Sequence, residues 1–171
     1  FIAGKSWESW ATPLTPYAGD ADIVIAKLRP PGPVDMGDAP ERYPTLNSSL
    51  GAAHMATGPK LGSLRDTDPD GRASAAADGD DDMAEDDEDG VFFDLPLTAG
   101  ASETITVTAP AKGILDAWID FNQDGDWDDQ GEQIFYRRSL QENWTNELDA
   151  AIPCDALPGI TYARFRISSA G

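Results

Sequence analysis

From Val91 to the end of the chain, apolar and polar residues alternate with a period of two. Ser102 to Thr108 places Ile105 and Val107 on one face and threonines on the other; Leu115 to Phe121 places Leu115, Ala117, Ile119 and Phe121 together. Side chains of a strand point alternately to its two faces, so this pattern predicts half-buried β-strands. Further β-like segments run over 132–140, 148–152 and 160–168, separated by turns about every ten residues, and no segment shows sustained helical periodicity. Such spacing predicts an all-β fold, an antiparallel β-sandwich of jelly-roll or Ig-like type. Upstream, 1–4 and 22–28 read as two short strands around a polar loop, 10–19, which contains Pro13 and Pro16. They predict an N-terminal β-hairpin, 1–33, ending at Pro30-Pro-Gly-Pro33. Residues 35–45, with Pro40 and Pro44, predict an extended, irregular segment with its polar groups at the surface, pinned to the core by Tyr43, Leu46 and Leu50.

The Leu115 strand leads directly into D-F-N-Q-D-G-D-W-D-D-Q-G-E, 120–132. Asp120, Asn122, Asp124, Asp126 and Asp128 occupy alternate positions, and Gly125 is sixth. Calcium takes 6 to 8 oxygen ligands, and the EF-hand loop draws them from positions 1, 3, 5, 7 and 9, with glycine at 6 and a bidentate glutamate at 12. Here Gly131 stands at position 12 and Glu132 at 13, so the closure differs from the EF-hand, and the flank is a strand rather than a helix. The alternative is a solvated acidic turn. Two like charges about 5 Å apart in water repel by roughly 0.8 kcal/mol, and the loop's six carboxylates have no Lys or Arg among them, which favours a counter-ion. Calcium is preferred to magnesium, which retains its waters and favours substrate phosphates.

A second acidic block spans 66–89, with ten Asp and two Glu against Arg72, a net charge of −11. Charge runs are commonly solvated and disordered. This one repeats the Asp–Gly punctuation: Asp66, Asp68 and Asp70 precede Gly71, and Asp78, Asp80 and Asp81 surround Gly79. The third group, Asp87, Glu88 and Asp89, runs through Gly90 into apolar Val91. Long structureless loops are uncommon inside domains unless something holds them, and calcium is the expected holder.

The 171 residues carry 31 acidic and 12 basic side chains, a net charge of −19. That balance opposes binding to nucleic acid and anionic membranes. Apolar residues make up 40%, enough for a genuine core. A single cysteine, Cys154, excludes an internal disulfide and is expected to be buried; a single histidine, His54, excludes clustered-His metal sites and is expected in a hydrogen-bonded loop. No apolar run is long enough to insert into a membrane. The opening at Phe1 creates the expectation that further chain precedes it.

Two resemblances add to this reading. A-G-K-S-W (3–7) and Y-A-G-D-A-D-I-V-I-A-K-L-R-P-P-G (17–32) resemble the closing part of a blade in the SBBP-type β-propeller repeats of bacterial secreted proteins. The rest, 34–171, is similar to the GEVED-domain family of bacterial secreted and surface proteins. That likeness rests on five ordered blocks: G-D-A-P-E-R-Y-P-T (37–45), H-M-A-T-G-P-K-L-G (54–62), D-D-E-D-G-V (86–91), A-W-I-D-F-N-Q-D-G-D-W-D-D-Q-G-E (117–132) and G-I-T-Y-A-R-F-R-I-S-S-A-G (159–171). It implies a calcium-binding β-domain within multidomain extracellular proteins and no established enzymatic activity. The family's Gly-Glu-Val-Glu-Asp stretch would begin near Gly171, so the domain is expected to lack its last strand, which another chain could supply.

The expectation is therefore a non-catalytic, calcium-stabilised extracellular or cell-surface module for adhesion, assembly or spacing. Its expected partners are calcium ions, neighbouring domains or other copies, and polysaccharide. One alternative is a carbohydrate-binding module: of Trp7, Trp10, Trp118, Trp127 and Trp144, Trp144 is the best candidate for stacking on a sugar, whereas Trp127 is expected to anchor the loop and Trp118 to pack. Another is a fibre subunit assembled by strand complementation. An enzyme is the least supported, because the carboxylates crowd into glycine-punctuated loops rather than standing isolated in an apolar cleft.

Overall fold

The computed structural model describes residues 2–6, 22–26, 33–65, 67–68, 70–79, 89–94, 96–142 and 144–170. The chain forms two compact units, residues 1–32 and 33–171. In the first, β1 (Ile2–Ser6) pairs antiparallel with β2 (Asp22–Ala26), Ile2 opposite Ala26 and Ser6 opposite Asp22.

The second unit contains β3 (Val34–Met36), β4 (Ala53–Met55), β5 (Val91–Phe93), β6 (Ser102–Ala109), β7 (Gly113–Ile119), β8 (Gln133–Leu140), β9 (Trp144–Ala151) and β10 (Ala163–Ser168). All its strand pairs are antiparallel. One three-stranded sheet has the order β5-β6-β9, another β10-β7-β8, and among the described residues β3 and β4 form a two-stranded sheet. The only helical element among the described residues is a single 3-10 turn, Asn47–Ser49. No helix among these residues is long and apolar enough to cross a membrane.

Alternation accounts for the core. On β7, burial alternates strictly, with Leu115, Ala117 and Ile119 inward. Ile105 and Val107 of β6 and Leu148 and Ala150 of β9 join them, so both three-stranded sheets contribute to one core cluster. Burying a side chain of this size contributes roughly 1.5–3 kcal/mol. Phe93 of β5 meets Phe165 of β10 edge to face, with ring centroids 5.8 Å apart.

Several sequence expectations need correction. Residues 35–45 are not wholly irregular, because Val34–Met36 pairs with Ala53–Met55, and His54 consequently lies on a strand opposite Asp35. Three-residue strands leave no readable period. Polar groups expected at the surface are also buried: Asp38 Oδ2 accepts from the Gly79 amide at 3.0 Å, and Thr45 Oγ1 donates to the Ala39 carbonyl at 2.8 Å. Tyr43 does pack inside, but Leu50, at a left-handed turn position with φ 61°, is exposed rather than pinned. Cys154, expected inside, is exposed in the turn that follows Ile152.

Candidate metal centre

β7 delivers the acidic loop with its first residue already fixed. Asp120 and Glu132 are buried at the two ends of the loop, and Asn122, Asp124, Asp126, Asp128 and Asp129 are exposed. Asp120 Oδ2 accepts from the Gly125 amide at 3.1 Å, and Oδ1 accepts from the Asp124 amide at 3.3 Å. A chain of local bonds follows: Asn122 Oδ1 accepts from the Asp124 amide (3.1 Å), Asp124 Oδ1 from the Asp126 amide (3.3 Å), and Asp126 Oδ1 from the Asp128 amide (2.9 Å). Short Asn and Asp side chains bond two residues ahead in this way and fold the backbone into successive turns. Gly125, with φ 98°, supplies a conformation that side-chain-bearing residues rarely adopt.

The displaced glutamate is brought back to the loop. Gly131 has φ 100° and takes up the extra residue, and Glu132 folds inward so that Oε1 accepts from the Phe121 amide and Oε2 from the Asp129 amide, both at 3.2 Å. Burial raises the Glu132 carboxyl above its ordinary pKa, with the Asp120 and Asp129 charges adding to it and the two amide bonds opposing it.

Asp124, Asp126 and Asp129 each place a carboxylate oxygen within 4.8 Å of the others. Asn122 Nδ2 ties this group together by donating to Asp124 at 3.0 Å and to Asp129 at 2.6 Å. Asp129 departs from the alternating pattern, so spacing alone did not reveal it; the visible signal was the Asp128–Asp129 doublet. Asp128 lies outside this group, and its charge acts on Arg164.

Residues from outside the loop secure it. The Tyr43 hydroxyl donates to Asp120 Oδ2 at 2.6 Å, and burial followed by this bond raises the phenol's pKa above its usual range. Its ring stacks on Trp127 at 4.3 Å, and the Trp127 indole donates to the Tyr162 carbonyl at 3.2 Å. The Thr161 hydroxyl donates to the Asp120 carbonyl. Two cations absent from the loop's own sequence approach it. Arg42 reaches the Gln123 carbonyl at 3.5 Å, and Arg164 lies 3.9 Å over the Trp127 ring with its pKa lowered to about 10, chiefly by burial.

The second acidic block is built differently. Asp70 Oδ1 accepts from the Asn47 amide at 2.7 Å and from Gly71 at 3.0 Å; Asp78 accepts from the Ser74 hydroxyl at 2.7 Å; Asp89 accepts from the Ser63 amide at 2.9 Å. Asp68 is buried, and its amide donates to Val34 at 2.8 Å. Among the described residues, then, these carboxylates cap separate loops and do not converge with one another. Asp66, Asp80, Asp81, Asp87 and Glu88 lie outside the described residues, as do Trp7, Trp10 and the side chain of Trp144.

Residues 114–171 match the GEVED domain family, a span that begins in β7 and includes the whole acidic loop. No curated protein and no solved structure matches the chain.

Proposed function

We propose that this chain is a non-catalytic calcium-binding β-module of an extracellular or cell-surface bacterial protein, with calcium as its structural cofactor. The observation that carries the reading is the convergence of Asp124, Asp126 and Asp129 within 4.8 Å on a loop whose two ends, Asp120 and Glu132, are buried. Three carboxylates, backbone carbonyls and waters meet the demand of a hard cation for six to eight oxygens, and magnesium's smaller, stricter octahedron fits such a set less well. Asp120 and Glu132 hold the loop through its amides and stand ready to turn an oxygen toward the ion.

Calcium in this role removes carboxylate repulsion and joins the end of β7 to the start of β8. The strand at each end of the loop makes the ion a brace for the sheet, which suits adhesion, assembly or spacing between domains. The shared core of the two sheets supports a sandwich, and the β1–β2 hairpin fits the closing strands of a propeller blade. The expected partners are neighbouring domains or further copies; the charge of −19 disfavours nucleic acid and anionic lipid surfaces.

Calorimetric titration of chelator-stripped protein tests the proposal. It predicts saturable calcium binding that excess magnesium does not abolish and that Asp124→Asn or Asp129→Asn weakens at least about tenfold. No calcium binding, or equal affinity for the two ions, would contradict it.

A further inference from the structure

β8 departs from regular pairing twice. Leu115 pairs with Arg138 and Ala117 with Phe135, so Asp116 faces both Tyr136 and Arg137; Ala117 to Trp118 then advances one residue while Phe135 to Gln133 advances two, leaving Ile134 extra. Such bulges re-aim side chains, and they are over-represented beside functional sites. At the first, Arg137 holds φ 48°, an uncommon conformation for a residue with a long side chain, secured because its amide donates to Asp116 Oδ1 at 2.9 Å and its guanidinium to the Ala170 carbonyl at 3.1 Å. As a result, four consecutive residues, Tyr136 to Ser139, face solvent where a regular strand would alternate.

The bulged stretch forms one wall of an open cleft of about 440 Å³, lined by Ile134, Phe135, Tyr136 and Arg138 of β8 and by Glu147 and Asp149 of β9. Tyr136 is 73% exposed, an unusual position for a large aromatic. The side chains of Arg138 and Glu147 make no ion pair among the described residues, and Asp149 accepts one bond, from Thr104 Oγ1 at 2.9 Å.

We propose that this cleft binds an uncharged oligosaccharide. Sugar rings offer C–H faces to an aromatic side chain and hydroxyls that both donate and accept. Tyr136 supplies the stacking face, Glu147 and Asp149 accept from hydroxyls, and Arg138 donates. A polyanion would meet two carboxylates against one guanidinium, on a chain of net charge −19. An apolar ligand would strip water from three charged groups and return no hydrogen bonds. The site is independent of the metal loop and uses none of its residues.

Amide correlation spectra of the full chain, titrated with cellohexaose, xylohexaose, mannohexaose and laminarihexaose, test the proposal. At least one hexasaccharide is expected to produce saturable shifts over residues 134–138 and 147–149, while oligogalacturonate produces none. Tyr136→Ala is expected to weaken binding about tenfold, with Tyr136→Phe close to the parent. Arg138→Ala and Glu147→Gln, both at exposed positions, are expected to weaken it several-fold without altering the melting temperature. The proposal is overturned if none of the four sugars shifts these residues up to about 10 mM, or if all three of Tyr136→Ala, Arg138→Ala and Glu147→Gln bind as the parent does.

Discussion

The Tyr43 hydroxyl donates a 2.6 Å hydrogen bond to Asp120 across 77 positions of sequence, and so fastens the segment before β4 to the first carboxylate of the acidic loop. Both groups are fully buried. A hydrogen bond to a charged acceptor contributes more than a neutral one, and removing the donor leaves the buried carboxylate short of a partner.

Tyr43→Phe should therefore destabilise the protein by about 2 kcal/mol while preserving the ring stack on Trp127. Urea unfolding checks the magnitude. Equal loss in calcium and in chelator indicates a purely structural bond, whereas a larger loss in calcium indicates that Tyr43 also orients Asp120 for the ion.

Gly131 tests the one-residue displacement of Glu132. No atom lies within 4 Å of the position a β-carbon would take, so Gly131→Ala meets no clash and its effect is conformational. At φ 100° an alanine is strained, and a loss of about 1–2 kcal/mol with weaker calcium binding is expected. Calorimetry measures the affinity and denaturant titration the stability; an unchanged affinity would show that the closing turn does not shape the site.

Asp124→Asn with Asp126→Asn should change stability in opposite directions under two conditions. In chelator the double substitution removes repulsion between carboxylates within 4.8 Å of one another and raises the melting temperature; in calcium it removes ligands and lowers it. A fall under both conditions would mean that the carboxylates serve the loop only through their amide bonds.

His54 gives a pH dependence. Its Nε2 accepts from Arg166 Nε at 2.8 Å, and burial, then the charges of Arg166 and Arg65, lower its pKa below 6.5. The unfolded chain therefore binds the proton more readily. Stability from this group is fully present above pH 6.5 and is lost as pH falls through the lower folded-state value. His54→Gln should flatten the change in urea midpoint between pH 7.5 and about pH 5 relative to the parent.

β6 and β7 were legible because one face of each is buried, and β7 follows its pattern residue by residue. What the sequence concealed depends on contacts distant along the chain. Three-residue strands such as β3 have too few positions to show a period, and the bulges of β8 arise from pairing with β7 rather than from local composition. In the loop, alternating spacing pointed to Asp124 and Asp126, which stand with Asp129 in the carboxylate group. Asp129, off the alternating positions, belongs to that group and Asp128 does not, and Arg42 and Arg164 come from positions distant in sequence. Cys154 was expected inside on its apolar character, but it lies in an exposed turn, where chain geometry outweighs side-chain preference.

Thermal unfolding in millimolar calcium and again in excess EDTA, with metal analysis of the same sample, tests the central claim most directly. If calcium binds only the folded state, saturation at about 100 times the dissociation constant adds about 2.7 kcal/mol, a rise in melting temperature on the order of 5–10 °C. The account predicts that rise together with bound calcium. Superimposable melts with no metal in the calcium sample would contradict it and leave the loop from Asp120 to Glu132 a turn held by its own amides.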